Sequence, residues 1–221
     1  MNTTDIEQSA MRQNMIDGQL LPNNVTDNSV VEAISKVNRQ VFVPKSRNGV
    51  AYLDKNIQIS DDRYLMEPMT FAKLLNAGEI KYDDLILDIA PGTGYSSAVL
   101  SNLVEAVVAI EEDDTLAKLA TENLASENCD NVAVINGAHK LGLAKQGPYD
   151  LILINGMVDE IPEELLKQLT KNGRLLCILN QQGIGRAVLV TYINAVMGVR
   201  ILFDASAAKL NGFAKTKEFQ F

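Results

Sequence analysis

Two textures of apolar and polar positions divide the 221-residue chain near residue 84. In the first part the apolar residues recur at helical spacing. Ile6, Ala10, Met11, Met15 and Ile16 predict a helix over residues 5–20 that stops at Pro22. Asp27 is placed to cap a second helix carrying Val30, Val31, Ile34 and Val37, because a short carboxylate accepts from the free N–H groups of a first turn. Phe42-Val43-Pro44 then leads into an irregular stretch reaching Asp62. Pro68, tolerated in a first turn, opens a third helix through Phe71, Leu74 and Leu75 that ends near Gly78.

Beyond residue 84 short continuous apolar runs alternate with helical patterns. The runs occupy residues 85–90, 106–110, 132–135, 150–154 and 174–179, and the helices 95–103, 113–126 and 163–169. A strand covered on both faces has no polar side, so buried parallel strands read as unbroken apolar runs, and crossover helices explain the spacing. Two further runs, 187–193 and 199–203, flank a break at 194–198 and predict an antiparallel pair at the end of the sheet. The expectation is an α/β chain with a doubly wound, mostly parallel seven-stranded sheet and an N-terminal helical extension. Residues 1–78 form the extension and 79–221 the ligand-binding core, in one compact unit.

Composition narrows the classes. Hydrophobic residues make up 47% of the chain and aromatics 5%, with no Trp, so the core rests on aliphatic side chains. The net charge of −8 and a pI near 4.7 repel a polyanionic backbone, which argues against nucleic acid as a partner. Cys129 and Cys177 lie far apart without CxxC spacing, and His139 is the single histidine, so neither a disulfide framework nor a multi-histidine metal centre is expected. Neither a secretory leader nor a membrane span is legible, so a cytoplasmic location is expected. Amphipathic N-terminal helices serve equally to cap a pocket or to pair with another chain, which leaves the oligomeric state open.

The segment with most chemistry is Leu85-Ile86-Leu87-Asp88-Ile89-Ala90-Pro91-Gly92-Thr93-Gly94-Tyr95. A strand runs into a glycine turn that opens a helix. Gly92 and Gly94 carry no side chain, so a ligand can approach the backbone, and free N–H groups at the helix start favour an electronegative group. The next run ends in Glu111, 17 positions after Gly94, where a carboxylate can accept from both hydroxyls of a ribose. A structural turn with a solvated Glu is the alternative. A dinucleotide fingerprint wants a third glycine where Ser97 stands, and Asp88 would repel a pyrophosphate. S-adenosylmethionine carries an ammonium and a sulfonium instead, so an acid at that position favours it over NAD.

With these residues in view the chain resembles the protein-L-isoaspartate O-methyltransferase family, from about residue 11 to residue 179. The resemblance is carried by Phe42-Val43-Pro44, Ala51-Tyr52-Leu53-Asp54, the loop from Leu87 to Tyr95, Ile161-Pro162, Gln168-Leu169 and Asn172-Gly173-Arg174-Leu175. It implies a Rossmann-like methyltransferase fold with S-adenosylmethionine as cofactor. It further implies methyl transfer to isoaspartyl carboxylates of damaged proteins, a repair activity. Asp88, Ala90, Pro91, Gly92, Thr93, Gly94, Glu111 and Ala138 are the expected cofactor contacts. No catalytic base and no metal are implied.

Two departures stand out. The family's Gly-Gln-Thr-Ile-Ser-Gln-Pro substrate segment reads Asp62-Arg63-Tyr64-Leu65-Met66-Glu67-Pro68, so Tyr64 and Met66 replace both hydroxyl residues. Its Gly-Asp-Gly after the third strand reads Gly137-Ala138-His139, without the acid expected to bond the adenine amino group. Arg63, Tyr64, Met66 and Glu67 are the candidate substrate contacts. Arg63 either pairs a substrate carboxylate through its planar fork or neutralises Asp61 and Asp62 at the surface. Tyr64 contacts substrate or packs its ring, Met66 fills space, and His139 stacks on adenine or lies exposed. A methyltransferase fold with another substrate, or a non-catalytic S-adenosylmethionine-binding module, is the alternative function.

Overall fold

The structure is a computed structural model that describes residues 3–214. Helix α1 (Thr3–Met15) does not run on as an α-helix to residue 20. It passes into a π-helical turn at Ile16–Leu20 and a 3₁₀ turn at Leu21–Asn23 that holds Pro22. The wider turn shifts the helical register, so that Met15, Ile16 and Leu20 all reach the core. Asp27 caps α2 (Asn28–Lys36) as expected, accepting from the Ser29 N–H at 2.9 Å.

The stretch that reads as irregular is pinned by a buried arginine. Arg39 donates from Nε to the Ala51 carbonyl at 2.7 Å and from Nη2 to the Met66 carbonyl at 2.6 Å, with its guanidinium 4.5 Å from the Tyr95 ring centre. Within this stretch β1 (Ile57–Gln58) and β2 (Tyr64–Leu65) pair antiparallel as a small hairpin. Helix α3 (Pro68–Ala77) follows, with Pro68 in its first turn.

The sheet is built from β3 (Leu85–Ile89), β4 (Ala106–Glu111), β5 (Val132–Asn136), β6 (Tyr149–Val158), β7 (Leu169–Gln181), β8 (Ile184–Ile193) and β9 (Val196–Asp204). Its order is β5-β4-β3-β6-β7-β8-β9. The first five strands of that order are parallel and the last two antiparallel, the seven-stranded arrangement the apolar runs predict. The intervening helices are α4 (Tyr95–Leu100), α5 (Asp114–Ser126) and α6 (Glu163–Leu166). Helix α6 stops short of residue 169 because Leu169 already begins β7. Strand β9 starts at Val196, not at residue 199, because Asn194 and Ala195, both at positive φ, turn the chain in two residues.

Apolar side chains cover both faces of the central strands β3, β6 and β7, while β9 is mostly exposed. On one face, the N-terminal helices, α3 and α4 pack against residues such as Ile86, Leu151 and Ile178. On the other, α6, Leu210 and Phe213 close over Leu87, Ile152 and Cys177. After β9, residues 205–213 cross the C-terminal end of β6: the Met157 N–H donates to the Ala208 carbonyl and the Leu210 N–H to the Met157 carbonyl, both at 2.9 Å. Among the described residues no helix is long and apolar enough to cross a membrane.

Candidate active site

At the C-terminal end of β3, Asp88 is fully buried. Ser96 and Ser97 from α4 donate to its Oδ2 at 2.7 and 2.6 Å, and Asn155 from β6 donates to Oδ1 at 2.6 Å. Burial pushes its carboxyl up and the Glu111 charge adds to that, against the three hydrogen bonds, and the balance lies at about 6. Ser96, Ser97 and Asn155 are site residues that the sequence reading missed. Ser97 registered there only as an absent glycine; Asn155 is a polar residue at the end of a strand next to β3, the place where open α/β sheets gather ligand groups.

The chain then turns through Ala90 at φ 60°, Gly92 at φ 62° and Gly94 at φ 100°. Glycine takes such angles without cost, whereas Ala90 holds its Cβ in a left-handed conformation. Thr93 faces away from Asp88: its hydroxyl donates to the Phe42 carbonyl at 2.6 Å and its carbonyl accepts from Asn123 at 2.9 Å. Its side chain ties the turn to the N-terminal lobe.

Glu111, at the tip of β4, is fully buried, and its partners correct two expectations. Arg63 does not lie at the surface beside Asp61 and Asp62, and its fork is taken by a carboxylate of this chain. It is buried and forked onto Glu111, Nη1 to Oε1 at 2.5 Å and Nη2 to Oε2 at 2.9 Å, and Nη2 also donates to the Ala90 carbonyl at 3.0 Å. The β1–β2 hairpin carries it inward because Ile57 and Leu65 on the same hairpin are buried. His139 neither lies exposed nor presents an open face. It is buried, with Nε2 3.2 Å from Glu111 Oε1 and 3.0 Å from the Glu112 N–H, and Nδ1 has no hydrogen-bond partner. The N–H groups of Gly92 and Asp113 also donate to Glu111, at 2.9 and 3.2 Å. Burial raises the Glu111 carboxyl, but the bonds from His139 and Arg63 outweigh it and hold the group down at about 2.

The other candidates divide. Tyr64 is half exposed and Met66 buried, and with Ala90, Pro91 and Asn155 they line a cavity of only about 10 Å³. Glu67 is not brought to it: Thr70 bonds its carboxylate at 2.5 Å. Ala138 is exposed and has no side-chain acceptor, and its carbonyl accepts from the Leu141 N–H at 3.1 Å. A wider pocket of about 250 Å³ lies beyond Arg63, bordered by Asp62, Glu112, Asp113, His139 and Asn211.

For S-adenosylmethionine the donor set fits in kind: a buried acid beside a glycine turn, with a second acid on the adjoining strand. The space beside that turn is taken by the protein itself. A Cβ added to Gly92 would meet Ile59 Cδ1 at 2.5 Å, so the room the glycine leaves is filled from the hairpin.

The family model described as protein-L-isoaspartate(D-aspartate) O-methyltransferase (PCMT) matches residues 10–197. The chain belongs to this family. Among PCMT relatives, the protein-L-isoaspartate O-methyltransferase of Methanoculleus marisnigri is 34% identical over 165 residues, 75% of each chain. That of Methanoregula boonei is 34% identical over 174 residues, 79% of this chain and 80% of the relative. A solved protein-L-isoaspartate O-methyltransferase superposes with TM-score 0.78 at 21% identity, over 93% of this chain and 66% of the other. A β-aspartate methyltransferase from Plasmodium falciparum, in complex with S-adenosyl-L-homocysteine, gives TM-score 0.76 at 20% identity, over 92% and 98%. These two structures bear out the methyltransferase fold. Within the PCMT family, then, this chain keeps the acid–glycine–acid framework while one of its own arginines occupies the second acid.

Proposed function

We propose that the chain is an S-adenosylmethionine-dependent carboxyl methyltransferase that acts on isoaspartyl residues of proteins. The observation that carries this is the extent of the PCMT match, residues 10–197, which takes in the N-terminal lobe, the glycine turn and both acids. The same match does not favour the alternative, a methyltransferase fold with another substrate or a non-catalytic S-adenosylmethionine-binding module.

When bound, S-adenosylmethionine supplies an electrophilic methyl group on a sulfonium. Asp88, Gly92, Gly94 and Glu111 are the residues that would hold it. Asp88 places negative charge at a buried position, where a neighbouring cation favours the ionised form and lowers its pKa from about 6. Of the two glycines in the left-handed turn, Gly92 faces the hairpin side and Gly94 packs against Ala120 and Leu124 of α5. Glu111 offers two carboxylate oxygens to a ribose diol once Arg63 has left them. The acceptor carboxylate is ionised at neutral pH, so the protein supplies no base, and its task is to align acceptor and methyl. Tyr64 and Met66 would border the acceptor, with a phenol and a thioether where relatives use hydroxyls. Repair of aged proteins in the cytoplasm is the biological role that fits this activity.

The test is methyl transfer to an isoaspartyl peptide at saturating cofactor, read as base-labile methanol. Turnover on the isoaspartyl peptide, and none on its normal aspartyl counterpart, is expected. Blank-level methanol from protein that calorimetry shows to be loaded with S-adenosylhomocysteine would overturn the proposal.

A further inference from the structure

We infer that the β1–β2 hairpin is an inhibitory plug in the cofactor site, latched by Arg63 on Glu111 and filled by Ile59 against Gly92. The inference rests on the cofactor reading above and adds a regulatory step to it: the nucleoside binds only after the hairpin's turn withdraws.

Three features carry it. First, the guanidinium of Arg63 takes both oxygens of Glu111 and the Ala90 carbonyl. A ribose diol needs those same two oxygens, so the diol and Arg63 exclude each other. Second, Ile59 Cδ1 sits 2.5 Å from where a Cβ of Gly92 would lie. On the side of Tyr64 and Ala90 only about 10 Å³ is left, and the pocket of about 250 Å³ beyond Arg63 also falls below the roughly 300 Å³ at which small-ligand sites begin. Third, the turn between the strands, residues 59–63, carries the plug, while Ile57 and Leu65 anchor the strands in the core. Only two residue pairs join those strands, Ile57 with Leu65 and Gln58 with Tyr64, and the Ile59 N–H closes the turn onto the Arg63 carbonyl at 2.9 Å. Its tip, Asp61 and Asp62, is exposed.

The C-terminal segment holds the plug from outside. Asn211 donates to Asp62 Oδ2 at 2.6 Å, and Asn56 donates to the Ser206 carbonyl at 3.2 Å. Neither bond is made to Glu111 or to the glycine turn, and the Asn211–Asp62 bond spans the rim of the pocket beyond Arg63. Loosening either the latch or the outer tie raises the open fraction, and apparent affinity rises with it.

The experiment is titration calorimetry with S-adenosylhomocysteine on the full chain and on Arg63→Gln, Ile59→Ala and Asn211→Ala. Hydrogen exchange across residues 57–65 is measured on the wild type in parallel. Arg63→Gln is expected to bind at least about tenfold more tightly than wild type, and the other two to shift in the same direction by about threefold or more. In the wild type, saturating S-adenosylhomocysteine is expected to speed exchange of the Ile59 amide. Should Arg63→Gln misfold, Ile59→Ala and Asn211→Ala decide the matter. A wild type that binds, with variants that bind no better and a hairpin that exchanges no faster, overturns the plug and leaves the cofactor reading standing. Absence of binding in wild type and in every variant overturns both.

Discussion

Asp88 and Glu111 are both buried carboxyls on adjoining strands, yet their surroundings move them in opposite directions. Asp88 rises from 3.8 to about 6, with burial the largest cause. The folded protein therefore holds its proton more tightly than the unfolded chain, and that contribution is lost as pH climbs from 3.8 through 6. Glu111 falls from 4.5 to about 2 because the His139 and Arg63 bonds outweigh its burial. Its contribution is present above 4.5 and is lost as pH falls toward 2. Relative to Asp88→Asn, wild type should thus lose on the order of 3 kcal/mol of stability between pH 4 and 6. Relative to Glu111→Gln it should gain a similar amount between pH 2 and 4.5. Urea unfolding over pH 2–7 measures both slopes, and a reversed sign in either would refute the assigned cause. Ala90 offers a second test. Alanine in the left-handed region costs about 1 kcal/mol or more, close to what glycine adds in unfolded-state entropy. Ala90→Gly should therefore be neutral or stabilising by up to about 1 kcal/mol, whereas Ala98→Gly within α4 should cost about 1 kcal/mol. Equal losses at the two sites would show that Ala90 carries no strain.

At the scale of elements, one side chain gathers most of the polar contacts where α3 leads into the sheet. Arg174 of β7 donates to the Gly78, Glu79 and Asp150 carbonyls at 2.5, 2.9 and 2.9 Å and pairs with Asp84 at 2.6 Å. It fastens the link that follows α3 to the base of two strands. Arg174→Ala strips partners from three carbonyls and a mostly buried carboxylate, so a loss of about 2–4 kcal/mol is expected in thermal or urea unfolding. The strands in this region were legible because burial on both faces leaves little polar side, as Ile86, Leu87 and Ile89 of β3 show. Asp88 and Glu111 were legible as charges set against apolar runs, Asp88 inside its run and Glu111 at the end of the next. The β1–β2 hairpin was not. Its few apolar residues, Ile57, Ile59 and Leu65, are too short a run to show any period. The destination of Arg63 depends on Glu111, 48 residues away, and no local pattern encodes that pairing. His139 escaped for the same reason, since its burial is set by β4 and not by its neighbours in sequence. The ends of β6 and β7 were read too short because the apolar run stops where the strand goes on, at Asn155 in one and at Asn180 in the other.

For the molecule as a whole, what matters is that the lobe holding the plug has no core of its own. Met15, Leu20, Phe42, Ala51, Leu65 and Phe71 lie in one continuous apolar cluster with Ile86, Val107, Leu151 and Ile178 of the sheet. A lobe stabilised that way does not melt first while the sheet persists, because unfolding it exposes the sheet's own buried face to water. Leu20 tests this, being fully buried in the π-helical turn and far in sequence from every strand of the sheet. Truncation to Ala removes apolar contact and leaves a cavity, which costs about 2–5 kcal/mol. If lobe and sheet are one cooperative unit, the global protection of β3 amides in hydrogen exchange falls by the full amount of that loss, and circular dichroism shows a single transition. A separable lobe would give two transitions and unchanged β3 protection. The distinction bears on the plug. In a cooperative molecule the turn at residues 59–63 opens by breaking the Arg63 latch and the Asn211 tie, with Ile57 and Leu65 still in the core. In a separable one, opening would require the lobe to unfold, and Leu20→Ala would itself tighten cofactor binding. The shared core predicts that Leu20→Ala lowers stability while S-adenosylhomocysteine affinity at 10 °C below its midpoint stays within about threefold of wild type.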